Sequence, residues 1–108
     1  MLESAIQIQI VNYLHYKNIY FFTVPNEAAG GGRGAMIRMR KLKKMGLRSG
    51  VADLVLLLKG GKTVFLEVKT DKGRQSENQK EFEKEIKKLD FDYYIVRSVE
   101  DVEEILKN

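Results

Sequence analysis

The chain contains no cysteine in its 108 residues. That excludes disulfides and thiolate zinc sites, and it agrees with a reducing compartment. There is a single histidine, His15, so a histidine-rich metal centre is excluded as well. We read His15 as a surface or core-edge residue. No apolar run approaches the roughly 20 residues of a membrane span, and the N-terminal segment lacks a signal-peptide pattern. The expectation is a soluble, cytoplasmic protein without a membrane partner. Acid is missing too, in one place: no Asp or Glu occurs between Glu27 and Asp53. That interval carries seven cations, Arg33, Arg38, Arg40, Lys41, Lys43, Lys44 and Arg48. The whole chain is only +4, so the remainder is net negative. One basic segment on an acidic body points to an anionic partner, nucleic acid first. The competing reading is a solvated basic loop.

What is present fits one domain spanning residues 1–108. A chain this size buries roughly two thirds of its unfolded surface, enough for one core. Leu2, Ala5, Ile6, Ile10, Val11 and Leu14 recur at helical spacing and predict a helix from Leu2 to Lys17. The β-branched and aromatic run Ile19 to Val24 predicts a strand ended by Pro25. Gly30, Gly31, Gly32 and Gly34 suggest a loop, and Ala35 to Met45 a short basic helix. Asp53–Leu58 and Thr63–Thr70 read as two strands of a hairpin. A helix over Ser76–Leu89, a strand over Tyr93–Val96 and a helix over Val99–Leu106 follow. The expected fold is α/β in the α+β sense, a mixed sheet flanked by helices. A helix between the hairpin and the last strand implies a crossover, hence a parallel pair. Val55 to Leu58 are apolar without alternation, which suggests a central strand covered on both faces. Tyr13, Tyr16, Tyr20, Phe21, Phe22, Tyr93 and Tyr94 read as core or interface. Met36, Met39 and Met45 read as apolar padding.

The hairpin carries charge where such strands usually exclude it. Glu67 and Lys69 are two apart and project from one face. A two-residue Gly60-Gly61 turn would set Asp53 opposite Val68, on the other face. A three-residue loop, Lys59-Gly60-Gly61, pairs Leu58 with Lys62 and sets Asp53 opposite Glu67. We expect the second, because a glycine supplies the left-handed residue such a loop requires. Two facing carboxylates need a lysine or a metal between them, and hard oxygen ligands suit Mg2+ or Mn2+. Lys69 there can hold a water or support charge on a phosphate. An inert salt-bridged trio is the plain alternative. Gln79 shares the inward face of its helix, but Ser76-x-x-Gln79 also fits a capping box, and the two roles compete for one side chain. Glu3, in the first turn of the first helix, is favoured there by the helix dipole.

The ordered set Asp53, Glu67-Val68-Lys69, Gln79 resembles the PD-(D/E)xK nuclease superfamily, with its restriction-endonuclease-like core. Within it the chain is most similar to the virus-type replication-repair nuclease domain, VRR-NUC. The matching residues include Glu3 with Gln7, Asn26, Gly46, Gly50, Asp53-Leu54, Phe65 to Lys69, Gly73, Ser76 and Gln79. The resemblance implies a metal-dependent DNA endonuclease using Mg2+, with Mn2+ as a substitute, and no small-molecule cofactor. It implies that Asp53, Glu67 and the Val68 backbone carbonyl bind the metal, and that Lys69 positions the attacking water. Gln79 would orient Lys69 or the water, and Glu3 would be an outer-shell or second-metal ligand. The proline common before the aspartate is Ala52 here, a departure in backbone shape rather than chemistry. Standalone members of the family resemble phage-encoded homodimers linked to branched DNA such as four-way (Holliday) junctions. On that reading Arg33, Arg38, Arg40, Lys41, Lys43, Lys44, Arg48 and Arg74 contact phosphates. A non-catalytic nucleic-acid-binding module with the same fold is the alternative.

Overall fold

The structure, a computed structural model, describes residues 1–25 and 32–107. Asn26, Gly30 and Gly31, named above, lie outside the described residues. The elements are α1 (Glu3–Tyr16), β1 (Tyr20–Thr23), α2 (Gly32–Lys44), β2 (Leu54–Leu58), β3 (Lys62–Val68), α3 (Glu77–Lys88), β4 (Asp92–Val96) and α4 (Val99–Leu106). The strands form one mixed sheet in the order β1-β2-β3-β4. β1 and β3 run antiparallel to β2, and β4 runs parallel to β3 after the α3 crossover. The α+β sheet with flanking helices is therefore as expected.

The parity of the strands decides which layer each residue joins. Leu54, Leu56, Val64, Leu66 and Val68 lie on one face and are sealed by Ile6, Ile10 and Leu14 of α1 and Val102 of α4. The opposite parity places Asp53, Phe65, Glu67 and Lys69 toward α3. Two aromatic contacts bind Phe82 of α3 to the sheet there, to Phe65 at 5.6 Å and to Tyr93 at 6.2 Å, and Phe65 also meets Phe91, in the turn before β4, at 5.9 Å. The two edge-to-face pairs, both on Phe65, add about 0.5–1.5 kcal/mol each beyond their buried area. The site thus sits on the α3 side of the sheet, at the end of β2 and β3 nearest the start of α3.

Several expectations change. α2 begins at Gly32, whose φ of +85° is left-handed, so Gly34 is a helical rather than a loop residue. The central strand is sealed on both faces only at Leu54, Val55 and Leu56; Leu57 is exposed. α3 covers β3 and β4, and nothing among the described residues covers Leu57, so its apolar run overstated its burial. Leu89 is the C-cap of α3, not part of its buried face, and is exposed. Of the aromatics read as core or interface, Tyr93 is buried, whereas Tyr16, Tyr20, Phe22 and Tyr94 are exposed. Met36 and Met45 are exposed as well. His15 is exposed and stacks on Phe21 at 4.9 Å, at the edge of the core.

Candidate metal centre

The hairpin register governs this site. Leu58 pairs with Lys62 and Leu54 with Leu66, across a Lys59–Gly61 turn in which Gly60 and Gly61 have φ of +81° and +76°. Extending that register by one residue sets Asp53 opposite Glu67, as the three-residue loop requires. Both charged residues fall just past the regular strands. Asp53 precedes β2, and its backbone carbonyl accepts a hydrogen bond from the Thr23 hydroxyl at 2.7 Å. Lys69 follows β3, held by one further ladder bond from its N–H to the Val96 carbonyl at 3.0 Å. The Thr23 anchor was missed in the sequence, because a side chain 30 positions away gives no local signal.

Glu3, Asp53 and Glu67 converge so that one carboxylate oxygen from each lies within 4.8 Å of the others. Glu67 is fully buried and Lys69 nearly so, at 0% and 8% exposure. Asp53 is half-buried, and its Oδ2 accepts the Val68 N–H at 2.8 Å. Glu67 Oε2 faces two donors: the Gln79 amide nitrogen at 3.0 Å and the Lys69 ammonium at 3.8 Å. Glu67 Oε1 has no hydrogen-bond partner among the described residues. A buried acceptor left unpaired costs about 1–3 kcal/mol, more when it is charged. Burial and, next, the neighbouring Asp53 push the Glu67 carboxyl from 4.5 up to about 8, with Lys69 opposing. Without a metal, the folded site therefore favours a proton on Glu67 at neutral pH.

The trio is largely buried rather than solvated: the Lys69–Glu67 contact is long and one-sided, and without a metal the proton on Glu67 is shared with the neighbouring Asp53 carboxylate. The donor set is hard oxygen throughout, which fits Mg2+ or Mn2+ rather than zinc. Glu3, Asp53 and Glu67 could hold such an ion with Glu67 Oε1 as a ligand.

The competition over Gln79 is resolved by its two ends. Its Oε1 accepts the Ser76 N–H at 2.8 Å, closing the capping box, while its Nε2 donates to Glu67. One amide caps α3 and orients the carboxylate. The start of α3 is held close by Gly50, whose φ is +77°. A Cβ there would stand 2.4 Å from the Asn78 carbonyl and 2.7 Å from the Gln79 nitrogen. The cations Arg33, Arg38, Arg40, Lys41, Lys43 and Lys44 are all exposed along α2, Arg48 is exposed beyond it, and Arg74 is exposed two residues before the Ser76 cap. A separate groove of about 480 Å³ runs between Arg48, Ser49 and α3, floored by Phe82 and Ile86; it touches the site only through Asn78, next to Gln79.

This fold and site define a class: an α+β domain with a cation-ready carboxylate cluster and a buried lysine at the end of a mixed sheet. The family model described as the VRR-NUC domain matches residues 3–100, and the chain belongs to that nuclease family. Two solved structures share the fold. One, titled "VRR_NUC domain", aligns with a TM-score of 0.70 at 18% identity over 98% of this chain and 95% of its own. The other, titled "VRR_NUC domain protein", gives 0.73 at 18% identity over 99% and 86%. No curated protein matches the chain in sequence. No described helix is long and apolar enough to cross a membrane.

Proposed function

We propose that residues 1–108 form one Mg2+-dependent endodeoxyribonuclease domain acting on branched DNA. Membership of a nuclease family supports phosphodiester hydrolysis. The observation that carries the metal reading is the fully buried Glu67 carboxylate clustered with those of Glu3 and Asp53, one oxygen of each within 4.8 Å of the others. Asp53, Glu67 and the Val68 carbonyl are the proposed ligands, with Glu3 in an outer or second position. A divalent ion bound there would lower the pKa of a water and neutralise phosphate charge.

The protein's own groups do the rest. The Lys69 ammonium, held in a poorly solvated position, holds the attacking water and supports charge developing on the phosphate. Gln79 fixes the Glu67 plane, so the carboxylate does not reorganise during the reaction. Val68 N–H fixes Asp53 in the same way. The eight cations from Arg33 to Arg48 and Arg74 bind phosphates without reading sequence. Arg74 lies beside the positive end of α3, where anions are favoured.

Cutting a symmetric four-way junction on two strands needs two sites related by a two-fold axis, so the proposal includes a homodimer. The exposed Tyr20, Phe22 and Leu57 support it: register places all three on one face of β1 and β2. The decisive experiment compares a labelled four-way junction with a matched linear duplex, in magnesium, manganese or EDTA, using wild type and Lys69→Ala. Metal-dependent junction cutting that Lys69→Ala abolishes is expected. Equal cutting of both DNAs would discard junction selectivity. Binding without cutting, unaffected by EDTA, would instead favour a non-catalytic DNA-binding module.

A further inference from the structure

The reading of Lys69 as the water-positioning group raises the question of what aims it. Lys69 stands one residue past β3, where only the bond to the Val96 carbonyl continues the ladder. The chain then turns at once: the Gly73 N–H donates to the Thr70 carbonyl at 3.0 Å. The turn folds back on Lys69 itself. A Cβ on Gly73 would lie 3.4 Å from the Lys69 Cβ and 3.1 Å from Thr70 Oγ1. The Gly73 backbone therefore forms a collar on one side of the root of the lysine side chain, close beside its Cβ.

One side chain from elsewhere in the fold fastens that collar. Arg97 Nη1 donates to the carbonyls of Thr70, of Gly73 at 3.0 Å and of Asp71 at 3.3 Å. Arg97 is anchored in turn. Its own N–H donates to the Asp101 carboxylate at 2.8 Å, and the Asp101 N–H donates to the capping Ser98 hydroxyl at 3.2 Å. Arg97 also follows Val96, whose carbonyl holds the Lys69 N–H. The tied segment has Lys69 at one end and Gln79 at the other, and both side chains address Glu67 Oε2.

We propose that Arg97 is a positioning residue for the hydrolysis, fastening the Thr70–Gly73 turn against the stem of Lys69 and so setting the reach of its ammonium. This rests on the assignment of Lys69 given above. A misplacement of about 1 Å in such a group costs on the order of 100-fold in rate. Arg97→Gln removes the charge and shortens the side chain, so the three carbonyls lose their common donor, Nη1. Arg97→Lys keeps a cation with three protons and should recover part of the function.

The test measures cleavage kinetics and manganese binding for wild type, Arg97→Gln, Arg97→Lys and Lys69→Ala, all as the full chain and well below their melting temperatures. For Arg97→Gln we expect kcat to fall about 10- to 100-fold. KM for DNA and the manganese midpoint should stay within about twofold, with Arg97→Lys between the two. A kcat equal to wild type in folded Arg97→Gln overturns the proposal. So does a loss confined to KM, which would make Arg97 a DNA contact, or a loss that merely follows the unfolded fraction. If Arg97→Gln does not fold, Gly73→Ala crowds Thr70, at 3.1 Å from its Oγ1 and 3.2 Å from its nitrogen, and so disturbs the same turn with Arg97 intact; an unchanged kcat there is equally fatal. Failure of the underlying nuclease reading looks different: wild type would be inert, or Lys69→Ala fully active.

Discussion

Replacing Glu67 by glutamine should make the metal-free protein more stable in alkaline solution, while destroying its metal site. The reasoning runs through the proton on Glu67. Its carboxyl is pushed from 4.5 up to about 8, chiefly by burial and then by Asp53. A group whose folded pKa is raised stabilises the fold fully below its unfolded pKa, and that contribution is lost as pH rises to the folded value. The loss therefore spans the window from 4.5 to about 8 and levels off above it. At about 1.4 kcal/mol per pKa unit, the total approaches ~5 kcal/mol. That is a large share of the roughly 5–15 kcal/mol of a small domain. Glutamine mimics the protonated acid. Its oxygen can still accept from Gln79 Nε2, and its amide can donate toward Asp53, but it carries no charge at any pH. The assay is urea unfolding of both proteins in EDTA between pH 5 and 9. The difference, variant minus wild type, should grow with pH by up to about 1.4 kcal/mol per unit. It should flatten above about pH 8, the folded value of the Glu67 carboxyl. Parallel stability curves would refute the account of Glu67. The same proton must leave when a metal binds, so manganese affinity should rise up to tenfold per pH unit below about pH 8 in wild type.

Other expectations follow from single contacts. Gln79→Glu keeps an acceptor for the Ser76 N–H but sets a carboxylate against Glu67, so thermal stability in EDTA should fall modestly while kcat drops at least tenfold; unchanged kcat would remove Gln79 from the site. Gly50→Ala places a methyl 2.4 Å from the Asn78 carbonyl at a positive φ, so it should destabilise the protein by about 2 kcal/mol or more in urea. A neutral result there would mean that α3 is not held by that contact. The double change Arg40→Gln and Lys44→Gln should lower DNA affinity on all sequences alike and flatten the dependence of log K on log salt by about two. An unaltered salt slope would take α2 off the DNA.

The sequence by itself determined the elements and singled out the candidate site residues. Apolar and aromatic runs and helical spacing placed the four strands and four α-helices that the structure describes, with α2 starting three residues earlier than expected. The two glycines after Lys59 allowed either a two- or a three-residue turn; the expected odd-length turn is the one observed, and it brings Asp53 to Glu67. The identity of Asp53, Glu67, Lys69 and Gln79 as a group was legible in their order. Tertiary structure alone decided what these residues experience. Strand polarity does not say that Glu67 is fully buried, that Glu3 of α1 reaches the same cluster, or that one Glu67 oxygen is left without a partner. Nor does sequence show how Gln79 divides its amide between a helix cap and a carboxylate, since that depends on where α3 starts relative to β3. Leu57 read as interior and is exposed, because hydrophobicity records affinity for a covered face and not whether the chain supplies the cover. Thr23 and Arg97 carried no sequence signal, and Gly50 was legible only as part of the family pattern, not as a contact. Their contacts join segments about 25 to 30 residues apart, and such contacts come into being only when the sheet brings those segments together.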